Sequence, residues 1–293
     1  VIPGGPDVAA MGGGHGLAAT LAAVRRYAGG VTAVVSVADD GGSSGRLREM
    51  TGIPAPGDLR RCLVALADPD SIWARAFEYR FGDGELGGHA FGNLVIAVLA
   101  QAGGDFATAL EFAAALLHIE GRVLPATSVP TDVVAMIDGR EVSGQVKVAH
   151  DGGVIERLSL SPPDPPAPAA AVEAIARADQ VVLGPGSLYT SVLATAVVPE
   201  LSAALGSRRG GRVFVANLRT DEPEASGFLA GDQLRVLLDH GIAVDVMVYD
   251  PRTGAAEDLG SPFGVRCIAA SVAADEGDRH DPVRLASVLA DLA

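Results

Sequence analysis

Residues 8–11 form a short apolar run that ends in Gly12-Gly13-Gly14-His15-Gly16, after which Leu17, Leu21 and Val24 recur at helical spacing. This is the pattern of a strand, a glycine turn and a helix. Residues 31–38 are apolar and rich in β-branched side chains without alternation, as in a strand buried on both faces of a parallel sheet. They run into Asp39-Asp40-Gly41-Gly42-Ser43-Ser44-Gly45, so the opening predicts a βαβ unit. Helical patterns follow over 60–67, 74–79 and 92–117, the last interrupted by Gly103-Gly104-Asp105 as stop, turn and new N-cap. Three β-type runs at 131–137, 141–148 and 154–160, separated by Asp138-Gly139 and Asp151-Gly152-Gly153, predict a small antiparallel element.

The stretch Pro162-Pro163-Asp164-Pro165-Pro166-Ala167-Pro168 fits neither helix nor central strand and reads as an extended loop separating two halves. Beyond it the alternation resumes: a helix over 169–178, a strand over 180–183 ending in Gly184-Pro185-Gly186-Ser187, and a helix over 192–205. Strands at 212–216 and 243–249 flank a helix near 233–238, and Asp281-Pro282 supplies an N-cap and first position for the last helix. The expected fold class is α/β: a Rossmann-like, doubly wound, mostly parallel sheet with a small antiparallel β element in the middle, one domain over 7–293.

In open α/β sheets ligands settle beyond the carboxyl ends of the strands, where helix N-termini direct unpaired N–H groups at anions. Gly13, Gly14, His15 and Gly16 let a backbone approach a pyrophosphate closely, although Leu17 stands where G-x-G-x-x-G needs its third glycine. No G-x-x-x-x-G-K-[ST] occurs, which removes an ordinary P-loop NTPase. In the second loop, Asp39 and Asp40 suit a ribose diol or a hydrated magnesium ion, and Ser43, Ser44 and Arg46 suit phosphate. Gly184, Gly186 and Ser187 form another strand-to-helix phosphate candidate. Asp58 and Asn93 are either pocket residues, with Asn93 reading base or sugar, or simple helix caps. Gly41-Gly42-Ser43-Ser44-Gly45 also fits the G-x-S-x-G nucleophile elbow, but too few strands precede it and no later loop pairs an acid with a histidine.

Charge narrows the ligand class. The 293 residues carry a formal net charge of −14 and one lysine, Lys147, which disfavours nucleic acid and membrane surfaces. With 48% hydrophobic residues there is material for a large core, yet no run is long enough for membrane insertion. Cys62 and Cys267 lack CxxC spacing, and no H-E-x-x-H occurs, so neither a disulfide scaffold nor a zinc centre is expected, and the reading is cytoplasmic. A small phosphorylated nucleotide suits a chain whose positive charge is almost all arginine. No tightly bound cofactor is expected beyond magnesium accompanying a diphosphate, and a homodimer is the default oligomer.

Gly12-Gly13-Gly14-His15-Gly16-Leu17, the segment from Val37 through Asp39-Asp40-Gly41-Gly42-Ser43-Ser44 to Arg48, and Pro56-Gly57-Asp58-Leu59-Arg60 resemble the gluconeogenesis factor (YvcK) family. The resemblance continues through Phe91-Gly92-Asn93-Leu94, Leu183-Gly184-Pro185-Gly186-Ser187, the Asn217 segment and Arg279-His280-Asp281-Pro282. It implies a Rossmann-like fold related to CofD, the 2-phospho-L-lactate transferase, in a protein that binds UDP-sugars such as UDP-N-acetylglucosamine. It further implies a sensor or regulator of cell-wall synthesis and cell shape during gluconeogenic growth, with wall-synthesis proteins as partners and no catalytic residues assigned. The alternative is a magnesium-dependent, CofD-like transferase acting on a nucleotide-diphosphate donor. Arg279 resembles an arginine implicated in UDP-sugar binding, though a surface role fits the sequence as well. Residues 217–224 gain acidic charge relative to the family pattern, which would repel a diphosphate unless magnesium intervenes.

Overall fold

The computed structural model describes residues 2–221, 223–255 and 259–293. Three strands open the main sheet: β1 (Asp7–Gly12), β2 (Gly30–Val35) and β3 (Arg122–Pro125). A separate antiparallel sheet follows, made of β4 (Asp132–Ile137), β5 (Arg140–Ser143) and β6 (Ile155–Ser161) in the order β5-β4-β6. The chain then returns to the main sheet with β7 (Gln180–Leu183), β8 (Arg212–Val215), β9 (Val246–Tyr249) and β10 (Arg266–Ala269).

Among the described residues the main sheet is parallel throughout, in the order β10-β9-β8-β7-β1-β2-β3. The chain begins in the middle, steps outward through β2 and β3, and crosses back to lay β7 on the other side of β1. Order therefore reverses between β1 and β7, and a crevice opens there beyond the strand ends. The antiparallel element and the doubly wound parallel sheet agree with the sequence pattern.

Two-residue periodicity divides the core. Val8 and Ala10 of β1 pack on one face with the helices Gly14–Val24, Gly57–Leu66, Phe91–Gly103, Phe106–Leu117 and Pro282–Ala290. Ala9 and Met11 pack on the other with Ala169–Arg177, Pro199–Ser207, Ala230–Asp239 and the inner side of the small sheet. The expected caps form: Asp105 accepts the Thr108 N–H at 2.9 Å, and Asp281 accepts those of Val283 and Arg284 at 2.8 and 3.0 Å. No single helix among the described residues is long and apolar enough to cross a membrane.

Several elements differ from the sequence pattern. The β-type run at 141–148 ends at Ser143 and becomes the helix Gln145–His150, because Gly144 turns the chain at φ 104°. The helix expected over 192–205 starts earlier as a π-helical turn, Leu188–Leu193, and bends by 74° before Pro199–Ser207. Pro199 has no N–H to continue the ladder and disfavours helical geometry at Val198. The second strand stops at Val35 rather than 38, and the following helix starts at Gly42, inside the glycine-serine loop.

Candidate functional site

Three loops meet at the crevice with no slack between them. The helix Gly14–Val24 begins immediately after β1, and a Cβ on Gly16 would collide with the carbonyl of Pro185 and lie 2.9 Å from the Gly186 nitrogen. Gly13 is pressed onto the Asp58 carboxylate and onto Ser191, whose Cβ would lie 3.2 Å from one added to Gly13. The loop after β8 joins through Asn217, whose Oδ1 accepts the Gly186 N–H at 2.8 Å while its Nδ2 donates to the Gly186 carbonyl at 2.8 Å. Gly184 sits behind the site, donating its N–H to Met11 O at 2.9 Å.

A polar cavity of about 210 Å³ lies between Gly14, Asp39, Asp58, Arg61, Gln145, Ser187 and Thr190. Asp58 stands in the first turn of Gly57–Leu66, where a helix N-terminus favours a carboxylate. It accepts from Arg61 Nη1 at 2.5 Å and from the Gly14 N–H, yet is only 7% exposed. Burial outweighs these partners and pushes its carboxyl above the usual range, with the negative Asp39 acting in the same direction. Asp39 is held by the Gly41 N–H at 2.9 Å. Gly57 has no room for a side chain, since a Cβ there would come 3.2 Å from Asp39 Oδ2 and overlap Ser44 Oγ. This close packing is where Ser44, buried at 4% exposure, contributes.

Asp39 and Asp40 diverge. Asp40 Oδ1 accepts the Val146 N–H at 2.9 Å, capping the helix Gln145–His150 and tying the loop after β2 to the small sheet. The acidic pair facing the cavity is therefore Asp39 with Asp58. Among the described residues no group of three or more His, Cys, Asp or Glu side chains forms a metal cage. Two carboxylates suit a magnesium ion only if ligand phosphate and water complete its shell.

The Gly16–Pro185 contact itself lines a second cavity, about 190 Å³, bounded also by His15, Asn217, Arg219, Arg279 and His280. Arg279 is 73% exposed in its side chain and lies 3.6 Å from Glu276. Arg219 pairs with Asp221, so part of the added acidic charge at 217–224 is neutralised locally. Glu222 lies outside the described residues. Glu224 points inward instead: it accepts the N–H groups of Tyr189 and Thr190 at 2.9 and 3.4 Å, capping the π-helical turn after β7. Burial drives the His280 imidazole down to about 4 against the Ala216 carbonyl and Asp250, which favour its charged form. His15 is lowered too, by burial and then by Arg61.

Ser43 and Asn93 form a buried network apart from both cavities. Ser43 Oγ accepts from Asn93 Nδ2 at 3.1 Å and from the Ala90 N–H at 3.4 Å, so its own proton is directed to His89 Nδ1 at 3.1 Å. Burial, and then Arg46 and Arg80, hold His89 below its usual value, which keeps it neutral. This serine–histidine pair has part of a hydrolase elbow, but among the described residues no carboxylate orients the ring, and Ser43 is only 4% exposed. Arg46 turns away to donate to Gly87 O at 2.9 Å. Removing the hub in Ser43→Ala leaves a buried amide donor unpaired, and chemical denaturation should show a loss of about 1–3 kcal/mol. Unchanged stability would mean that the network is not structural.

Thus Gly14, Asp39, Asp58 and Ser187 gather at one cavity and His15, Gly16, Gly186, Asn217 and Arg279 at the other. Arg61 and Gln145 were not among the residues expected from sequence. Arg61 had a signal, since it lies three residues after Asp58 on a helix; Gln145 had none, being hidden in a run that reads as strand. Arg60, the arginine of the quoted motif, is spent on Glu78 at 2.6 Å and is 5% exposed.

The chain matches the family model described as 2-phospho-L-lactate transferase CofD over residues 8–261. It is 42% identical to a putative gluconeogenesis factor of Mycobacterium tuberculosis (strain CDC 1551 / Oshkosh), covering 96% of this chain and 89% of that protein. It is 39% identical to the gluconeogenesis factor of Halalkalibacterium halodurans, covering 83% and 77%. A crystal structure of a UPF0052 family member from Bacillus halodurans superposes with a TM-score of 0.93 at 33% identity, covering 97% of this chain and 98% of that one. The glycine loops, their meeting at the β1/β7 reversal and matches over most of the chain lead to one conclusion: the chain belongs to the gluconeogenesis factor (YvcK, UPF0052) family, with the domain of CofD.

Proposed function

We propose that the crevice binds a nucleotide-sugar of the UDP-N-acetylglucosamine type and that the protein acts as a cytoplasmic sensor regulating cell-wall synthesis and cell shape during gluconeogenic growth. The observation that carries this reading is a pair of cavities, about 210 and 190 Å³, lined by successive residues of the same two glycine loops: Gly14 and Ser187 at one, His15, Gly16, Pro185 and Gly186 at the other. Each alone falls below the roughly 300 Å³ at which ligand pockets begin, whereas a base, a diphosphate and a sugar in line would occupy both. The diphosphate crosses at the N-terminus of Gly14–Val24, where the first N–H groups have no intrahelical acceptor. Arg61 supplies positive charge on one side and Arg279 on the other. Magnesium, where it accompanies the ligand, would be held by Asp39 and Asp58 and would neutralise diphosphate charge. Wall-synthesis proteins are the partners this role requires.

The CofD domain keeps a second reading in play, a transferase in which the same acidic pair holds magnesium on a nucleotide-diphosphate donor. A thermal-shift screen of UDP-N-acetylglucosamine, UDP-glucose, GDP, GTP and a deazaflavin, each with and without magnesium, separates the two. Stabilisation by UDP-sugars without turnover is expected. Stabilisation by a guanine nucleotide or the deazaflavin, with product formed, would replace the sensor by the transferase.

A further inference from the structure

We infer that the free edge of β6 takes up an extended, basic segment of another protein as a fourth strand of the small sheet. The site shares no lining residue with either crevice cavity and does not depend on what the crevice binds.

Register defines this edge. β4 lies between β5 and β6, and Val133 in β4 turns its carbonyl toward β5, accepting the Gly144 N–H at 2.9 Å. Leu160 stands opposite Val133, and Leu158 opposite Ala135. In the alternation of an antiparallel pair, the N–H and C=O groups of both leucines therefore point away from β4. The Leu158 N–H does so visibly, donating to His240 Nε2 at 3.0 Å. Among the described residues, no side chain or loop pairs with the outward groups of Leu160 or with the Leu158 carbonyl. Edge strands are commonly blunted by proline or by a covering group. Here His240 covers one N–H and Pro162-Pro163 follows the strand, and Leu160 is left open between them.

A groove of about 490 Å³ runs along the open edge. Leu158, Ser159 and Leu160 line one side, and Val197, Pro199 and Ser202 the other. That far wall stands where the sheet of a second copy would have to lie, so a single extended chain fits and a strand already embedded in another sheet does not. An antiparallel strand would exchange two hydrogen bonds with Leu160 and donate a third to the Leu158 carbonyl. Val197 and Pro199 offer apolar contact to its alternate side chains. Charge sets the remaining positions. Glu156, Asp164 and Asp239 line the groove against one arginine, Arg157, so lysine or arginine in the incoming strand is complementary. A second copy, at a net charge of −14, brings like charge.

The probe is the end-blocked hexapeptide Lys-Val-Lys-Val-Lys-Val, titrated into the isotope-labelled protein and followed by amide NMR. The Leu160 amide should shift in a saturable way with a Kd of about 1 mM or tighter, and the peptide with glutamate in place of lysine should bind at least about tenfold more weakly. A residue paired with Leu160 carries its side chain on the same face, so the valines present the bonding N–H groups, and N-methylation at the valines should abolish binding. Ser202→Trp, which fills the groove, should abolish it too. An unmoved Leu160 amide, equal binding of the glutamate peptide, or binding that survives N-methylation or Ser202→Trp would overturn the inference. Dimerisation of the unchanged protein that Ser202→Trp abolishes would give the edge to a second copy and overturn it as well. Should Ser202→Trp fail to fold, Asp239→Lys, exposed at the end of its helix, decides: affinity for the lysine peptide must fall at least about fivefold, and unchanged affinity refutes the site.

Discussion

Gly16→Ala should cost about 3 kcal/mol or more of stability and abolish nucleotide binding. The new Cβ has no side chain to push aside; it meets the Pro185 carbonyl and the Gly186 nitrogen, both backbone. The loop after β7 cannot retreat freely, because Asn217 clasps Gly186 from behind and the Gly184 N–H is bonded to β1. The helix after β1 cannot retreat either, since Gly13 already lies against Asp58 and Ser191. Gly14→Ala is the comparison. Nothing lies within 4 Å of a Cβ there, and the cost is confined to a left-handed backbone at φ +62°, about 1–2 kcal/mol. Thermal denaturation should rank Gly16→Ala well below Gly14→Ala, and a wild-type melting temperature for Gly16→Ala would mean that the two loops do not meet as described.

The second large effect is a loss of stability on acidification that traces to His280. Its imidazole titrates near 4 in the folded chain against an ordinary value of 6.5. Above pH 6.5 both states are neutral and the full stability is present. As pH falls from 6.5 to 4 the unfolded chain takes up a proton that the folded chain refuses, so stability declines, by about 3 kcal/mol in total, and the contribution levels off below that window. The lowered pKa values of His15 and His89 act in the same direction. Asp58 acts oppositely: its raised pKa adds stability below its unfolded value of 3.8, which is lost as pH rises through the folded one. Denaturation of the unchanged protein and of His280→Phe across pH 4 to 7 should show a markedly flatter profile in the variant. Parallel profiles would mean that His280 is not buried and neutral.

What the sequence disclosed and what it hid follow from the range of the interactions involved. Gly13, Gly14 and Gly16 stood out in the sequence, because close approach at Gly13 and Gly16 and a left-handed backbone at Gly14 each favour glycine. The parallel sheet was legible because β1 and β2 are dominated by Val, Ala and Met without polar alternation. Strands β3 and β10 were missed because they are four-residue edges carrying arginine, where too little apolar surface is buried to leave a pattern. Asp39 and Asp40 are adjacent and chemically identical, and only the turn at Gly144, more than a hundred residues later, sends one to the cavity and the other to a helix cap. Arg60 and Arg61 were separable only once helix phase was fixed, which buries one against Glu78 and turns the other to Asp58.

The measurement that bears most directly on the whole account is a calorimetric titration of UDP-N-acetylglucosamine into the unchanged protein and into Arg61→Ala, with magnesium present. Arg61 is partly exposed and pairs with the buried Asp58, so its loss removes positive charge from the cavity and leaves that carboxylate unpaired; a cooperative thermal melt of the variant, run alongside, establishes that it is folded when titrated. Saturable one-to-one binding, weakened at least about tenfold in Arg61→Ala, is the predicted result. Absence of saturable heat with the unchanged protein, or equal affinity in both, would contradict the assignment of this crevice to a nucleotide-sugar.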